Sequence, residues 1–230
     1  MTEHNIIFTI ATWLIPLVFA IVLHEISHGW VANAFGDPTA KNLGRLSPNP
    51  MRHVDPFGTV VLPLILAVTG APVFGWAKPV PVVAAQMRKP RLHMMLVALA
   101  GPGMNLLLAL IAAFGLAFLI STADQPPSSV TRFLGANLTN FLIINVFLAI
   151  FNLLPVPPFD GGHVVEGMLP RPLARKWRGL GKFAFPILIV LLLVLPMISP
   201  SLSVVKYIVV PPVSAVLGFI AGLAGLGAGS

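Results

Sequence analysis

Ile6–Phe35 reads IIFTIATWLIPLVFAIVLHEISHGWVANAF, and Ile6 to Leu23 carries no charge at all. A run of roughly 20 apolar residues is enough to cross a bilayer. At about 1.5 Å per residue the whole stretch is longer than a hydrocarbon core of about 30 Å. It predicts a transmembrane helix that ends at Gly36-Asp37-Pro38. No basic flank precedes it, so it reads as a retained helix and not as a cleaved leader. Its second half changes character, because His24, Glu25 and His28 fall inside it. Ionisable groups in a membrane helix are costly, and function is their default explanation.

The rest of the chain fits a membrane setting. Over 230 residues, 57% are hydrophobic and 9% charged, against about 25% charged in soluble domains. Mean hydropathy is +0.92. The net charge of +7 and pI near 10.6 are read as cytoplasmic loops touching anionic headgroups, with no nucleic-acid partner. Cysteine is absent, so any metal site must be built from His, Asp and Glu.

Further apolar runs follow at 57–69, 94–120, 138–154, 183–198 and 204–226. The first of these is short, contains Pro63, and is expected to be re-entrant. Residues 73–83, with Lys78-Pro79-Val80-Pro81 at their centre, read as extended chain. The fold class expected is an all-α polytopic membrane protein of five to six hydrophobic segments. It has a three-helix catalytic core and a short membrane-associated β-strand or re-entrant element between the first two core helices. One domain covers 1–230, with its core at about 6–170 and additional C-terminal helices at about 183–226. Segments 36–57, 78–91 and 171–182 hold three, four and five Lys or Arg, whereas 121–137 holds only Arg132. That asymmetry sets the N-terminus outside and the ends of the first and third strong spans in the cytoplasm. The expected location is the plasma membrane of a prokaryote, with the site near the cytoplasmic face.

His24-Glu25-Ile26-Ser27-His28 is the pattern H-E-x-x-H. Residues four apart share a helix face, so both imidazoles can hold one Zn2+ per chain. Glu25 is then placed to act as general base on a water. A catalytic zinc site takes a third protein ligand. Among the few carboxylates, Asp160 follows the span that ends at the same membrane face, Asp37 is expected to end the first helix, and Asp55 is the next alternative. Asn152 either contacts a developing oxyanion or satisfies carbonyls freed by Pro155. Asn105 either orients a ligand, bonds the broken backbone after Leu154, or contacts substrate. Gly101, Asn105, Ala109, Ala113 and Ala117 form a small-residue stripe for close helix packing. Ala77, Lys78 and Val80 are expected to bind an extended substrate along the edge not blocked by Pro79 and Pro81. His53, His93 and His163 are expected in interfacial loops, with a place beside Asp160 as the alternative for His163.

Together, His24-Glu25-x-x-His28, Gly101-Pro102-x-x-Asn105 and Asn152-x-x-Pro155 with Asp160-Gly161 resemble the site-2 protease family of intramembrane zinc metalloproteases. The stretches Phe74–Pro81 and Asn49–Gly58 resemble its compact branch without a PDZ domain. The resemblance covers about residues 10–170. It implies His24, His28 and Asp160 as zinc ligands, Glu25 as the base, and hydrolysis of transmembrane substrate proteins within or near the bilayer. Gly103 departs from the pattern, where a bulkier residue is expected. The rivals are an ion- or proton-coupled transporter and a metal-binding scaffold without catalysis. A transporter predicts inverted repeats, which are absent, and a scaffold has no need of Glu25. A homo-oligomer is left open.

Overall fold

The computed structural model describes residues 6–61, 65, 77–124 and 126–227. Among them, four helices are long and apolar enough to cross a membrane: Ile6–Ala34, Pro90–Thr122, Ser129–Asn152 and the stretch Val205–Leu223. We label the first three α1, α2 and α3. Two short helices, α4 (Asp160–Met168) and α5 (Arg171–Gly179), follow, and the last span ends in α6 (Val210–Leu223).

The bundle buries small and polar residues and turns large apolar ones outward. Thr12, Pro16, Ala20, His24, His28 and Ala32 lie four apart along α1, and all are buried. Ile6, Ile10, Trp13, Leu14 and Phe19 of the same helix are exposed. Small side chains let helix backbones approach closely where lipid solvates the large ones. In α2 the stripe Gly101, Asn105, Ala109 and Ala113 is likewise buried, and Ala117 is partly so. These stripes face each other and α3. Ala109, Ala112 and Ala113 also pack with Leu142 and Val146 of α3 and with Val209, Val213 and Ile220 of the last span.

Ser128 starts α3 by accepting the N–H of Thr131 at 3.1 Å. Pro155, Pro157 and Pro158 end it, since each lacks an N–H and disfavours continued helix. The chain then folds back on itself. A Cβ at Gly161 would strike the carbonyls of Leu153 and Leu154, and one at Gly162 would lie 2.9 Å from the Pro157 nitrogen. Two glycines therefore let α4 begin directly against the end of α3, with Asp160 as its first residue.

Most of the run 57–69 lies outside the described residues; Pro56–Val61 is a single wide helical turn capped by Asp55, whose Oδ1 accepts from Phe57 and Gly58. The run 183–198 is helical but breaks into short pieces of different pitch, Ala184–Ile189, Val190–Val194 and Leu195–Ile198. It is not among the helices long enough to cross. No strand occurs among the described residues. The expected strand at 73–83 lies partly outside them, and Ala77–Val83 is non-helical chain without a ladder partner. Pro79 and Pro81 carry no donor, and three of the other N–H groups are taken by distant acceptors. Lys78 N–H donates to His53 O at 2.8 Å, Val80 N–H to Glu25 Oε2 at 2.9 Å, and Val83 N–H to Asp37 Oδ2 at 2.6 Å. Arg45 also grips the segment, donating to Lys78 O at 2.6 Å and to Pro79 O at 3.3 Å.

Candidate metal centre

His24 and His28 sit one turn apart on the buried face of α1, about 15 Å along the helix from its end at Ala34 for His24. Their Nε2 atoms are 3.1 Å apart. Asp160 Oδ2 lies 3.2 Å from His24 Nε2 and 3.4 Å from His28 Nε2. Ligand atoms of all three fall within 4.8 Å of one another.

The outer nitrogens of the imidazoles decide what the inner ones are. His28 Nδ1 is 2.7 Å from Val97 O, a pure acceptor, so it carries the proton. His24 Nδ1 is 2.5 Å from Asn105 Oδ1. The amide chain fixes that orientation. Asn145 Nδ2 donates to Phe141 O at 2.8 Å, so its Oδ1 faces Asn105 Nδ2 at 2.7 Å, which leaves Asn105 Oδ1 for His24. Both neutral rings then present Nε2 lone pairs inward. They meet a carboxylate oxygen, Asp160 Oδ2, that is buried and has no hydrogen-bond partner. Three electron-pair donors around one point, with no proton between them, repel unless a cation sits there. Two imidazoles and a carboxylate suit zinc and leave a coordination position for water. The outer hydrogen bonds fix ring orientation and raise donor strength.

Gly101 forms the wall beside this point. A Cβ there would lie 2.5 Å from His24 Cε1 and from both Cε1 and Nε2 of His28. Gly103 is exposed, and a Cβ there would meet nothing within 4 Å, so the departure at Gly103 lies away from the site.

Glu25 stands next to the cluster on α1, its Oε2 held by the Val80 N–H. Val80 is buried, and its Cγ1 would be 3.0 Å from a Cβ at Gly29. Asn152 is not hydrogen-bonded to the cluster; its Nδ2 donates to Leu148 O at 3.0 Å within α3. Asp55 and Asp37 are occupied elsewhere, Asp55 by its turn and Asp37 by Thr39 and Val83. His53, just after the turn Pro50–Arg52, and His93, in the first turn of α2, are both buried in the protein. His53 Nε2 is bonded to Ser47 O at 2.9 Å, and His93 stacks on Phe35 with ring centres 4.1 Å apart. His163 is exposed, with Nδ1 3.9 Å from Glu166 Oε2. The sequence reading gave Asn145 and Arg45 no role and expected Asp37 only to end the first helix. Only Asn145 carried a signal: it lies two helical turns before Asn152, in a helix where a mid-membrane amide needs a partner.

A bundle of apolar helices with an H-E-x-x-H pair and a carboxylate at one point defines a zinc-dependent membrane metalloprotease. The profile of Peptidase family M50 matches residues 12–142 and 119–195. The chain is similar to YwhC of Bacillus subtilis (strain 168), named as a candidate zinc metalloprotease, at 38% identity over 178 residues, 77% of this chain and 78% of that one. It is also similar to two proteins named as candidate zinc metalloprotease Rip2. That of Mycolicibacterium smegmatis is 31% identical over 198 residues, 86% of this chain and 69% of its own. That of Mycobacterium tuberculosis (strain H37Rv) is 33% identical over 190 residues, 81% and 67%. No solved structure matches. The chain belongs to peptidase family M50, the site-2 protease family.

Proposed function

We propose that this protein is an intramembrane zinc endopeptidase that cuts transmembrane substrate proteins within or at the edge of the bilayer, with its active site near the cytoplasmic face of a prokaryotic plasma membrane. The observation that carries the reading is the convergence of His24, His28 and Asp160 in the helical bundle, with Glu25 beside them. His24, His28 and Asp160 would hold the ion, and zinc bound there would polarise the scissile carbonyl and make a water acidic enough to attack near neutral pH. Glu25 takes the proton of that water through the carboxylate oxygen not engaged by Val80. The water oxygen bonds to the carbonyl carbon, the C–N bond breaks, and Glu25 returns the proton to the leaving amine. Irregular backbone at Leu153–Phe159 is tolerated at membrane depth only against protein or water, and hydrolysis needs that water. An oxyanion contact from Asn152 requires its amide to leave Leu148 O.

Glu25→Gln keeps zinc and abolishes cleavage, because the carboxylate acts on water and not on the metal. His24→Ala, His28→Ala and Asp160→Ala each lower zinc content together with activity. Metal analysis of purified protein, paired with cleavage of a reconstituted membrane substrate, reads both. Zinc loss in Glu25→Gln, or turnover in it, would count against the assignment. Full zinc and activity in Asp160→Ala would move the third ligand elsewhere.

A further inference from the structure

Helix α5 is tethered near the end of the spanning helix α3. It follows α3 and α4 directly, and the apolar run that begins at Phe183 lies four residues beyond Gly179. Four residues reach at most about 14 Å, so α5 stays within range of the headgroups. Its two faces differ in kind. Arg171, Arg175 and Arg178 recur at i, i+4 and i+7 on one side; Leu173, Trp177 and Leu180 recur on the other. The protein leaves Leu173 50% and Leu180 40% exposed. Residues 171–182 hold five cations and no carboxylate. Among the described residues only Arg178 has an ion-pair partner, Glu166; Arg171, Arg175, Lys176 and Lys182 have none. A helix with a basic face and a Leu/Trp face lies in the interface plane and is drawn to anionic lipid. A nucleic acid or acidic segment would satisfy the charges but leave Leu173 and Leu180 in water.

The same helix grips the one that carries Asp160. Trp177 Nε1 donates to Gly162 O at 2.9 Å, two residues past Asp160. Arg178 reaches Glu166 Oε1 of α4 through Nε at 2.8 Å and Nη2 at 2.5 Å. We propose that α5 binds anionic phospholipid at the membrane surface and, through Trp177 and Arg178, holds α4 and Asp160 against His24 and His28. The lipid contact stands by itself; the coupling rests on the reading of those three residues as the zinc site.

The chain has no cysteine, so Leu173→Cys gives a single thiol for an environment-sensitive fluorophore on the full-length protein. The probes are vesicles of phosphatidylcholine alone or with about one third phosphatidylglycerol. In anionic vesicles the label shifts to the blue and gains protection from an aqueous quencher, and about 0.5 M salt reverses both. Neutralising Arg171, Arg175, Lys176 and Lys182 to Gln abolishes the response, since each cation near such a surface contributes about fivefold. Identical spectra in the two vesicles, or an unchanged response in the four-fold variant, would overturn the lipid contact. For the coupling, zinc loss to a chelator is slower in anionic vesicles by about fivefold or more. Trp177→Phe removes that difference while the label still responds. Equal zinc loss in both vesicles overturns the coupling. Protein that holds no zinc in either vesicle defeats the metal-centre reading instead, and the label still decides the lipid contact.

Discussion

Gly101 has no room for a side chain, and the atoms in the way belong to the two imidazoles. Gly101→Ala is therefore expected to push His24 or His28 off its outer hydrogen bond and lower zinc affinity by about 10–100-fold, the range for losing a hydrogen bond that orients a metal-binding imidazole. Gly103→Ala, facing open space two residues away, keeps full zinc. Competition with a chelator measures both, and equal affinities in the two variants would refute the distinction. Asn145 is predicted to act through a longer chain. Asn145→Leu leaves Asn105 Nδ2 without its best acceptor in a buried site, so Asn105 loses the orientation that meets His24 Nδ1. Zinc affinity drops, again by about 10–100-fold, with helix content retained on circular dichroism. The H-E-x-x-H pair was legible because a spacing of four can only mean one helix face. Asn145 was legible only as a mid-membrane amide in need of a partner; that the partner is Asn105, 40 residues away, leaves no local pattern. Gly101 was legible as a packing glycine and as part of the family motif; that its neighbours are imidazoles depends on the register of α1 against α2.

Residues 77–83 show the limit of reasoning from backbone period. Pro79 and Pro81 lie two apart, which suggests an edge strand with one side free. Where the N–H groups go decides the matter, and that depends on side chains far away in sequence: Glu25, Asp37 and the loop that ends at His53. With Lys78 and Val80 already engaged, the edge expected to receive substrate is not free in this structure. The Val80 amide instead sets the position of Glu25. Val80→Pro removes that donor and is expected to lower kcat by about 10-fold or more, with KM little changed and zinc retained. Ala77→Pro leaves the Glu25 contact in place and is expected to have much less effect. If substrate pairs along this segment, both variants raise KM together. Asp37 anchors the far end of the segment. Its burial raises the carboxyl's pKa, but the Thr39 hydroxyl, the Val83 N–H and the Thr39 N–H outweigh that and hold it below the ordinary 3.8. A lowered folded-state pKa gives stability that is present above the unfolded value and lost as pH falls through the folded one. The anchor is thus whole at neutral pH and released only below about pH 4. Asp37→Asn, which offers an amide N–H to groups that already donate, costs about 1–3 kcal/mol at neutral pH and removes the acid transition. Hydrogen exchange at Val83, followed from neutral to acid pH, shows whether protection disappears there and is already absent in the variant.

At the scale of the whole molecule, charge is gathered at one end. α1 and α3 end, and α2 begins, at the side where Asp160 meets His24 and His28, so the loops 36–57, 78–91 and 171–182 all leave the bundle there. They hold twelve of the fourteen Lys and Arg. The turn between α2 and α3 lies at the opposite end and contains Asp124, with Arg132 in the first turns of α3. Loops rich in Lys and Arg remain in the cytoplasm because translocating them is opposed by the membrane potential and by the insertion machinery. The proposed zinc ligands are tied to the basic end by the helix connections alone, so orientation and the side of the proposed active site are one question. Ser121→Cys and Lys176→Cys each put a single thiol on an exposed position at the two ends of an otherwise cysteine-free chain. In sealed cells a membrane-impermeant maleimide is expected to label Ser121→Cys at once and Lys176→Cys only after permeabilisation. The reverse pattern would turn the molecule over and carry Glu25 and its ligand cluster to the outer face, where any fragment released by cleavage would leave the cell instead of entering the cytoplasm.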